Sequence, residues 1–343
     1  MSFTRNSRPW RPYLPASLHS CIERNPSSAD PAFSGRTEPC DPRLKELTVI
    51  PDDFTYFAPS SLPAVWDLLQ RYEGDAKILA GGQSLIPLMK LRLAAPAYLI
   101  DLRNVPGLTA LAERDGSLVI GAMVREATLE HTPLIQQRYP GIHEASAVVA
   151  DPLVRNFATV GGNVAHADPA NDHPAMLLAL HAQVTLQGSR GIRTMALDDF
   201  LVDTLETALQ GDEVLTDIRV PQPLPHTGSA YVKLERKVGD YAIAAVGVMV
   251  TLDNGVCSRA GVGLTNVGAK AIRATQAEAY LIGKQPDDAT IREAARLAAE
   301  AADPTSDLHG PADYKRSMVR TLATRALRLA VERAQAGDAG GGQ

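Results

Sequence analysis

Two glycine pairs, Gly81-Gly82 and Gly161-Gly162, stand between apolar strand-like runs and polar hydrogen-bonding residues, and no other feature of this 343-residue chain constrains its fold as strongly. Consecutive glycines let backbone N–H groups converge on an anion where a Cβ would block the approach. The first segment reads Ile78-Leu79-Ala80-Gly81-Gly82-Gln83-Ser84-Leu85. A buried strand from Lys77 ends at this loop and a short helix begins at Leu85, so an anion would meet a helix N-terminus. The second reads Thr159-Val160-Gly161-Gly162-Asn163 and runs at once into His166-Ala167-Asp168-Pro169-Ala170-Asn171-Asp172-His173-Pro174, a polar stretch able to bind sugar hydroxyls. Ser84 and Thr159 offer hydroxyls to the same anion. One glycine pair is most simply a tight turn. Two in these contexts point to one ligand held from two sides.

The rest of the chain alternates helix and strand. Ser60 or Ser61 caps a helix whose apolar face is Leu62, Val65, Trp66, Leu69 and Tyr72 and which ends at Gly74. Strands are predicted at 97–101 and 118–120, a helix of small residues over 143–150, a strand at 184–186 and a helix or loop at 197–200. Pro221, Pro223 and Pro225 mark a domain boundary. Beyond it come strands at 230–234, 243–252 and 260–264, then helices over 272–282, 289–302 and 312–335. The last carries Val319, Leu322, Ala326, Leu329 and Ala330 on one face. Residues 1–50 mix proline, serine and arginine without any period and read as a disordered extension, and 336–343 reads as a flexible glycine-rich tail.

Composition narrows the function. At 45% hydrophobic and 21% charged, the chain suits about two domains with real cores. A net charge of −5 and only 5% aromatic residues argue against a nucleic-acid surface. Cys21, Cys40 and Cys257 are too far apart to form a four-thiolate cluster, so any iron–sulfur centre belongs to another chain. No run reaches the roughly 20 apolar residues of a membrane span, and no export h-region opens the sequence, which makes a soluble, cytoplasmic protein the expectation.

Competing motifs are weaker. Gly261-Val262-Gly263 lacks the third glycine of a dinucleotide fingerprint, and the Walker-like spacing from Gly263 to Lys270 has Ala269 where the lysine belongs. His166, Asp168, Asp172 and His173 form the most metal-like cluster, with ligand chemistry suited to zinc or iron. Nothing elsewhere supplies an obvious further ligand, and a polar loop of Asx turns suits the same residues better than a metal does.

Three segments, AGGQSLIPLMKLRLAAP (80–96), TVGGNVAHADPANDHPA (159–175) and KLERKVGDYAIAAVG (233–247), occur in order. On them the chain, over about residues 55–333, resembles the flavoprotein subunit of the multi-subunit molybdenum hydroxylases, the family of aerobic carbon monoxide dehydrogenase and xanthine dehydrogenase. That resemblance implies an α+β fold. A two-part FAD-binding domain of the vanillyl-alcohol-oxidase (PCMH) type would occupy 51–226, split near 107. A C-terminal α+β domain with a small antiparallel sheet and helices would follow over 227–335.

By the same resemblance both glycine segments, Ile78 to Leu85 and Thr159 to Asn163, hold the FAD diphosphate, and Asp172 meets ribityl or ribose hydroxyls. Asn163 and His166 shape that loop. Lys233, Arg236, Asp240 and Tyr241 would face the isoalloxazine ring, with Lys233 or Arg273 supplying a positive charge near its pyrimidine end. Lys233 also reads as an ordinary strand residue and Asp240 as a salt-bridge partner.

The implied protein is an oxidoreductase subunit with no catalytic residues of its own. Substrate would be hydroxylated on a molybdenum-cofactor large subunit. Electrons would pass through iron–sulfur clusters on a small subunit to FAD on this chain, in a dimer of heterotrimers. Two other readings stay open: a free-standing flavin oxidoreductase with Tyr241 or His173 as base, and a flavin-free metal- or anion-binding module on 166–173. Carbon monoxide, a purine, an N-heterocycle or an aldehyde all suit as substrate, and NAD, quinone or oxygen as final acceptor.

Overall fold

The structure, a computed structural model, describes residues 50–336. The expected extension and glycine-rich tail lie outside the described residues, apart from Ile50 and from Ala336, which closes the last helix.

Residues 55–104 build a parallel layer. Strand β1 (Thr55–Phe57), helix α1 (Leu62–Arg71), strand β2 (Ala76–Leu79), helix α2 (Leu85–Lys90) and strand β3 (Tyr98–Asp101) follow in turn. β3 lies in the middle and pairs in parallel with both β1 and β2. Ser61 Oγ accepts from the Ala64 N–H and Pro63 occupies the first turn, which together start α1. Its Val65 and Leu69 share a small core with Ile100, Leu102, Val105 and Leu108.

An antiparallel layer comes next. Strands β4 (Leu111–Arg114) and β5 (Ser117–Gly121) form a hairpin, and after it run helices α3 (Glu126–His131), α4 (Pro133–Arg138), α5 (Pro140–Ala147), α6 (Pro152–Arg155), α7 (Val160–His166) and α8 (Asp172–Ala179). Strands β6 (Gln183–Gly188) and β7 (Gly191–Ala196), helix α9 (Leu197–Phe200), the short hairpin of β8 (Leu201–Asp203) and β9 (Glu206–Thr207), and strand β10 (Glu213–Pro221) complete the region. The resulting sheet has the order β4-β5-β10-β6-β7.

The last region is a meander, β11 (Thr227–Leu234), β12 (Ala244–Asp253), β13 (Val256–Thr265) and β14 (Ile272–Arg273), followed by helices α10 (Thr275–Leu281), α11 (Asp288–Ala301) and α12 (Ala312–Ala336). β12 is buried along nearly its whole length because it is covered on both faces. Side chains such as Val246, Val248 and Val262 pack with Ala323, Ala326, Leu327 and Ala330 of α12. The opposite face receives α8. There Gly261 and Gly263 lie directly beneath the α8 backbone, where a Cβ would overlap the carbonyls of Ala179 and Ala175. The glycines that resembled part of a nucleotide fingerprint are a seat for a helix.

Three elements differ from the sequence reading. The helix expected over 143–150 spans Pro140–Ala147, because a proline at the first position sets its start. Ile272 and Arg273, expected to open a helix, pair instead with β13, and the helix begins at Thr275. The second glycine pair and much of the polar stretch after it are helical, in α7 and α8. Among the described residues no helix is long and apolar enough to cross a membrane.

Candidate functional site

The two glycine segments meet. Gly81 packs against the backbone of Phe157 and Ala158, leaving no room for a Cβ, and a Cβ on Gly162 would stand 3.4 Å from the Ala80 Cβ. Ile78 and Leu79 belong to β2, with Ile78 in register with Ile100, so they hold the first loop from behind. Gly82 adopts φ +74°, the left-handed region, and turns the chain into α2. Along this turn the N–H groups of Gly81, Gly82, Gln83, Ser84 and Leu85 donate to no partner among the described residues. The Ser84 hydroxyl makes no capping bond. The Gln83 amide folds back to the Gly81 carbonyl at 3.2 Å. A run of adjacent free N–H donors is the chemistry of an anion nest.

The second segment is built otherwise. Thr159 is the N-cap of α7 and its hydroxyl accepts from the Gly162 N–H at 3.2 Å. Val160 N–H donates to the Val124 carbonyl, Gly161 N–H to the Ala122 carbonyl and Asn163 N–H to the Thr159 carbonyl. No nest of free donors forms there, because the backbone N–H groups of Val160 to Asn163 are engaged within the protein. What this segment presents is side chains: the Thr159 hydroxyl proton, and the Asn163 Oδ1, buried without a hydrogen-bond partner. Asn163 is held by its own carbonyl, which accepts from Asn171 Nδ2 at 2.8 Å.

Asp172 and Lys233 form the junction with the meander. Asp172, 5% exposed, accepts from the Tyr231 hydroxyl at 2.7 Å and from Lys233 Nζ at 3.1 Å. Lys233 Nζ also donates to the Val148 carbonyl at 3.0 Å and lies 3.3 Å from Glu235. The ammonium makes two hydrogen bonds to protein acceptors and pairs with two carboxylates, so its charge is met within the protein and it ties two layers together. Burial pushes the Asp172 carboxyl up, against the lowering pull of Lys233 and Tyr231. Tyr231 is pushed well up by its own burial and by the Asp172 charge. Its signal in the sequence was the strand period, which puts Tyr231 and Lys233 on one face.

The remaining candidates separate. Arg273 makes a two-oxygen ion pair with Glu278 and is committed within the C-terminal layer. Arg236 lies 3.6 Å from Asp240, and Asp240 also accepts from the Tyr241 N–H. Tyr241 is half exposed. His166 ends α7, and the Asp168 carboxylate accepts from the Ala170 N–H in an Asx turn. His173 is wholly buried, 2.5 Å from Glu126, and so is closed to an outside substrate. Among the described residues no group of three or more His, Cys, Asp or Glu could hold a metal ion.

An anion nest, free hydroxyls and a buried amide oxygen with spare acceptor capacity fit a molecule carrying a diphosphate and hydroxyls, as FAD does. Comparisons with known proteins agree. The chain matches the FAD binding domain in molybdopterin dehydrogenase over residues 52–223 and the CO dehydrogenase flavoprotein C-terminal domain over 229–330. It is 42% identical over 282 residues to the carbon monoxide dehydrogenase medium chain of Hydrogenophaga pseudoflava, covering 82% of this chain and 98% of that one. It is 40% identical to the 6-hydroxypseudooxynicotine dehydrogenase complex subunit alpha of Paenarthrobacter nicotinovorans, covering 83% and 97%. In three dimensions it matches a chain of the Hydrogenophaga pseudoflava carbon monoxide dehydrogenase with a TM-score of 0.81, at 44% identity, over 83% of this chain and 99% of that one. The chain therefore belongs to the FAD-binding medium-subunit family of the molybdenum hydroxylases.

Proposed function

We propose that this chain is the FAD-carrying electron-transfer subunit of a heteromeric molybdenum hydroxylase. It takes electrons from iron–sulfur clusters on a small partner subunit and delivers them to a final acceptor. A molybdenum-cofactor large subunit transforms the substrate, and the complex is a dimer of heterotrimers. Relatives named for carbon monoxide and for 6-hydroxypseudooxynicotine dehydrogenation match this chain over nearly their whole length. Such different substrates on one scaffold support a medium subunit that does not itself contact them.

The single observation that carries this reading is the run of free N–H groups from Gly81 to Leu85, pressed against the Thr159–Asn163 segment. In this reading those donors and the Ser84 hydroxyl hold the diphosphate, the Thr159 hydroxyl donates to it, and Asn163 Oδ1 accepts from a ligand hydroxyl. FAD when bound supplies a store that fills one electron at a time and empties by two. The protein's part is placement: Asp172, Tyr231 and Lys233 fix the meander against the two loops. The free-standing oxidoreductase loses one of its two candidate bases, since His173 is enclosed with Glu126.

The division into a two-part flavin domain over 51–226, split near 107, and a C-terminal domain over 227–335 belongs to the same proposal. It is supported by the change of sheet between β10 and β11 and by family matches that part between 223 and 229. A cytoplasmic location is supported by the buried free thiol of Cys257, which suits a reducing compartment.

The test is an absorbance spectrum of the purified chain, with the heat-released supernatant identified chemically. Near-stoichiometric FAD, with substrate oxidation only when the large and small subunits are added, supports the reading. A colourless chain that takes up no FAD, or one that oxidises substrate alone, overturns it.

A further inference from the structure

A buried line of charges runs from the second glycine segment into the meander, and two of its members, Glu126 and His173, are wholly enclosed by protein. The carboxylate of Glu126, at the start of α3, lies 2.5 Å from His173 Nε2, and both side chains are fully buried. His173 is followed along the line by its chain neighbour Asp172, then by Lys233 at 3.1 Å and Glu235 at 3.3 Å. Signs alternate along these five residues.

Glu126 is fixed to the second segment by more than its side chain. Its N–H donates to the Ala158 carbonyl, in the same short ladder that joins Val160 to Val124 and Gly161 to Ala122. Arg125 and Thr159 form the bridge between these bonds. The backbone of Glu126 thus holds the segment that carries Thr159 and Asn163, while its side chain holds the N-terminus of α8. That terminus bears Asp172, the link to Tyr231 and Lys233. Two buried ionisable groups are costly unless paired, so a pair enclosed at this point must be matched by what it holds in place.

We infer that Glu126 and His173 are positioning residues for the FAD site, setting the spacing between the Thr159–Asn163 segment and the Asp172–Lys233 junction. The inference rests on the FAD reading of the loops. Neither residue touches the ligand. They act through Asp172, whose ionised form the imidazolium supports and which in turn orders Lys233.

The experiment uses the full chain, stripped of FAD and titrated with FAD by flavin fluorescence, with the visible circular dichroism of the bound flavin as a second readout. Glu126→Gln removes the charge and keeps the shape. Glu126→Gln/His173→Gln leaves an uncharged pair that can still hydrogen-bond, and protects the test should the single variant fail to fold. Each is expected to weaken FAD binding about tenfold, the size of one lost charge-assisted hydrogen bond, and to change the flavin dichroism. A purely structural role predicts instead that the double variant binds FAD like the parent, with the parent's dichroism, and that result overturns the inference. So does a folded single variant within about twofold of the parent on the same scale. A parent chain that binds no FAD at all overturns the functional reading first and the inference with it.

Discussion

Gly81 packs so closely against the backbone of Phe157 that any β-carbon at position 81 would overlap the Phe157 carbonyl and stand 2.8 Å from the Ala158 Cα. The obstacle is main chain, which cannot rotate away. Gly81→Ala must therefore part the two ligand-facing segments, at a cost of about 1–3 kcal/mol. The expected result is a lower melting temperature and a loss of most bound FAD, read from the ratio of flavin to protein absorbance. Gly211→Ala, where a Cβ would meet nothing within 4 Å, is the control and should change neither.

Lys233→Met should be among the more damaging single changes at the junction. It leaves Asp172 buried with only Tyr231 as donor and takes the donor from the Val148 carbonyl. Removing one partner of a buried ion pair costs about 3–5 kcal/mol. Asp172→Asn/Lys233→Met removes both charges and should cost clearly less than the sum of the two single changes, as a denaturant series on all three variants would report.

How much of this was legible beforehand depended on whether a feature was local. The capped helix α1, the strands β2 and β3 beside the first loop and the long helix α12 follow from residues near one another in sequence, and all stand close to where the pattern put them. The second glycine pair reads as a loop in the sequence, whereas the Thr159 cap makes it the first turn of a helix. Gly261 and Gly263 could not be interpreted without knowing that α8 lies on them. Glu126 gave no sign at all: its partner is 47 residues away, and a lone glutamate opening a helix is unremarkable in any sequence. Long-range pairing of charges is what the one-dimensional pattern does not carry.

Stability should depend on pH through His173. Burial lowers its pKa, but Glu126 and Asp172, the charged groups that face it, raise it further, so the folded imidazole holds its proton more tightly than an unfolded one near 6.5. The stability this gives is fully present below about 6.5 and is lost as pH rises through the raised value. In Glu126→Gln burial dominates and the sign reverses. The difference in melting temperature between parent and variant should therefore be widest in mildly acidic buffer and narrow toward alkaline pH. A difference that does not change with pH would show that His173 is neutral throughout.

Deletion of residues 1–46 should leave FAD content and affinity unchanged. The family match begins at residue 52, and every contact described for the two loops involves residues beyond that point. A colourless truncated chain would place part of the ligand site in the extension.

Two neighbours on β13 separate stability from ligand placement. Val262 is fully buried and points toward α12, within the core that includes Val319, Leu322 and Ala326. Gly263 faces the other way and carries α8, whose Ala175 carbonyl fills the space a Cβ would need. Val262→Ala removes apolar contacts and leaves a cavity on the side away from the loops, at a cost of about 2 kcal/mol. It should lower the melting temperature and keep FAD. Gly263→Ala must lift α8 from the sheet, because the clash is with helix backbone, and α8 begins with Asp172 and His173. Lifting it draws Asp172 away from Lys233 and His173 from Glu126, two contacts that tolerate little change at 3.1 Å and 2.5 Å. Gly263→Ala should therefore lose FAD even when it is folded, and at equal melting temperature it should hold far less flavin than Val262→Ala. Equal flavin content in the two variants at matched stability would mean that α8 does not transmit its position to the site.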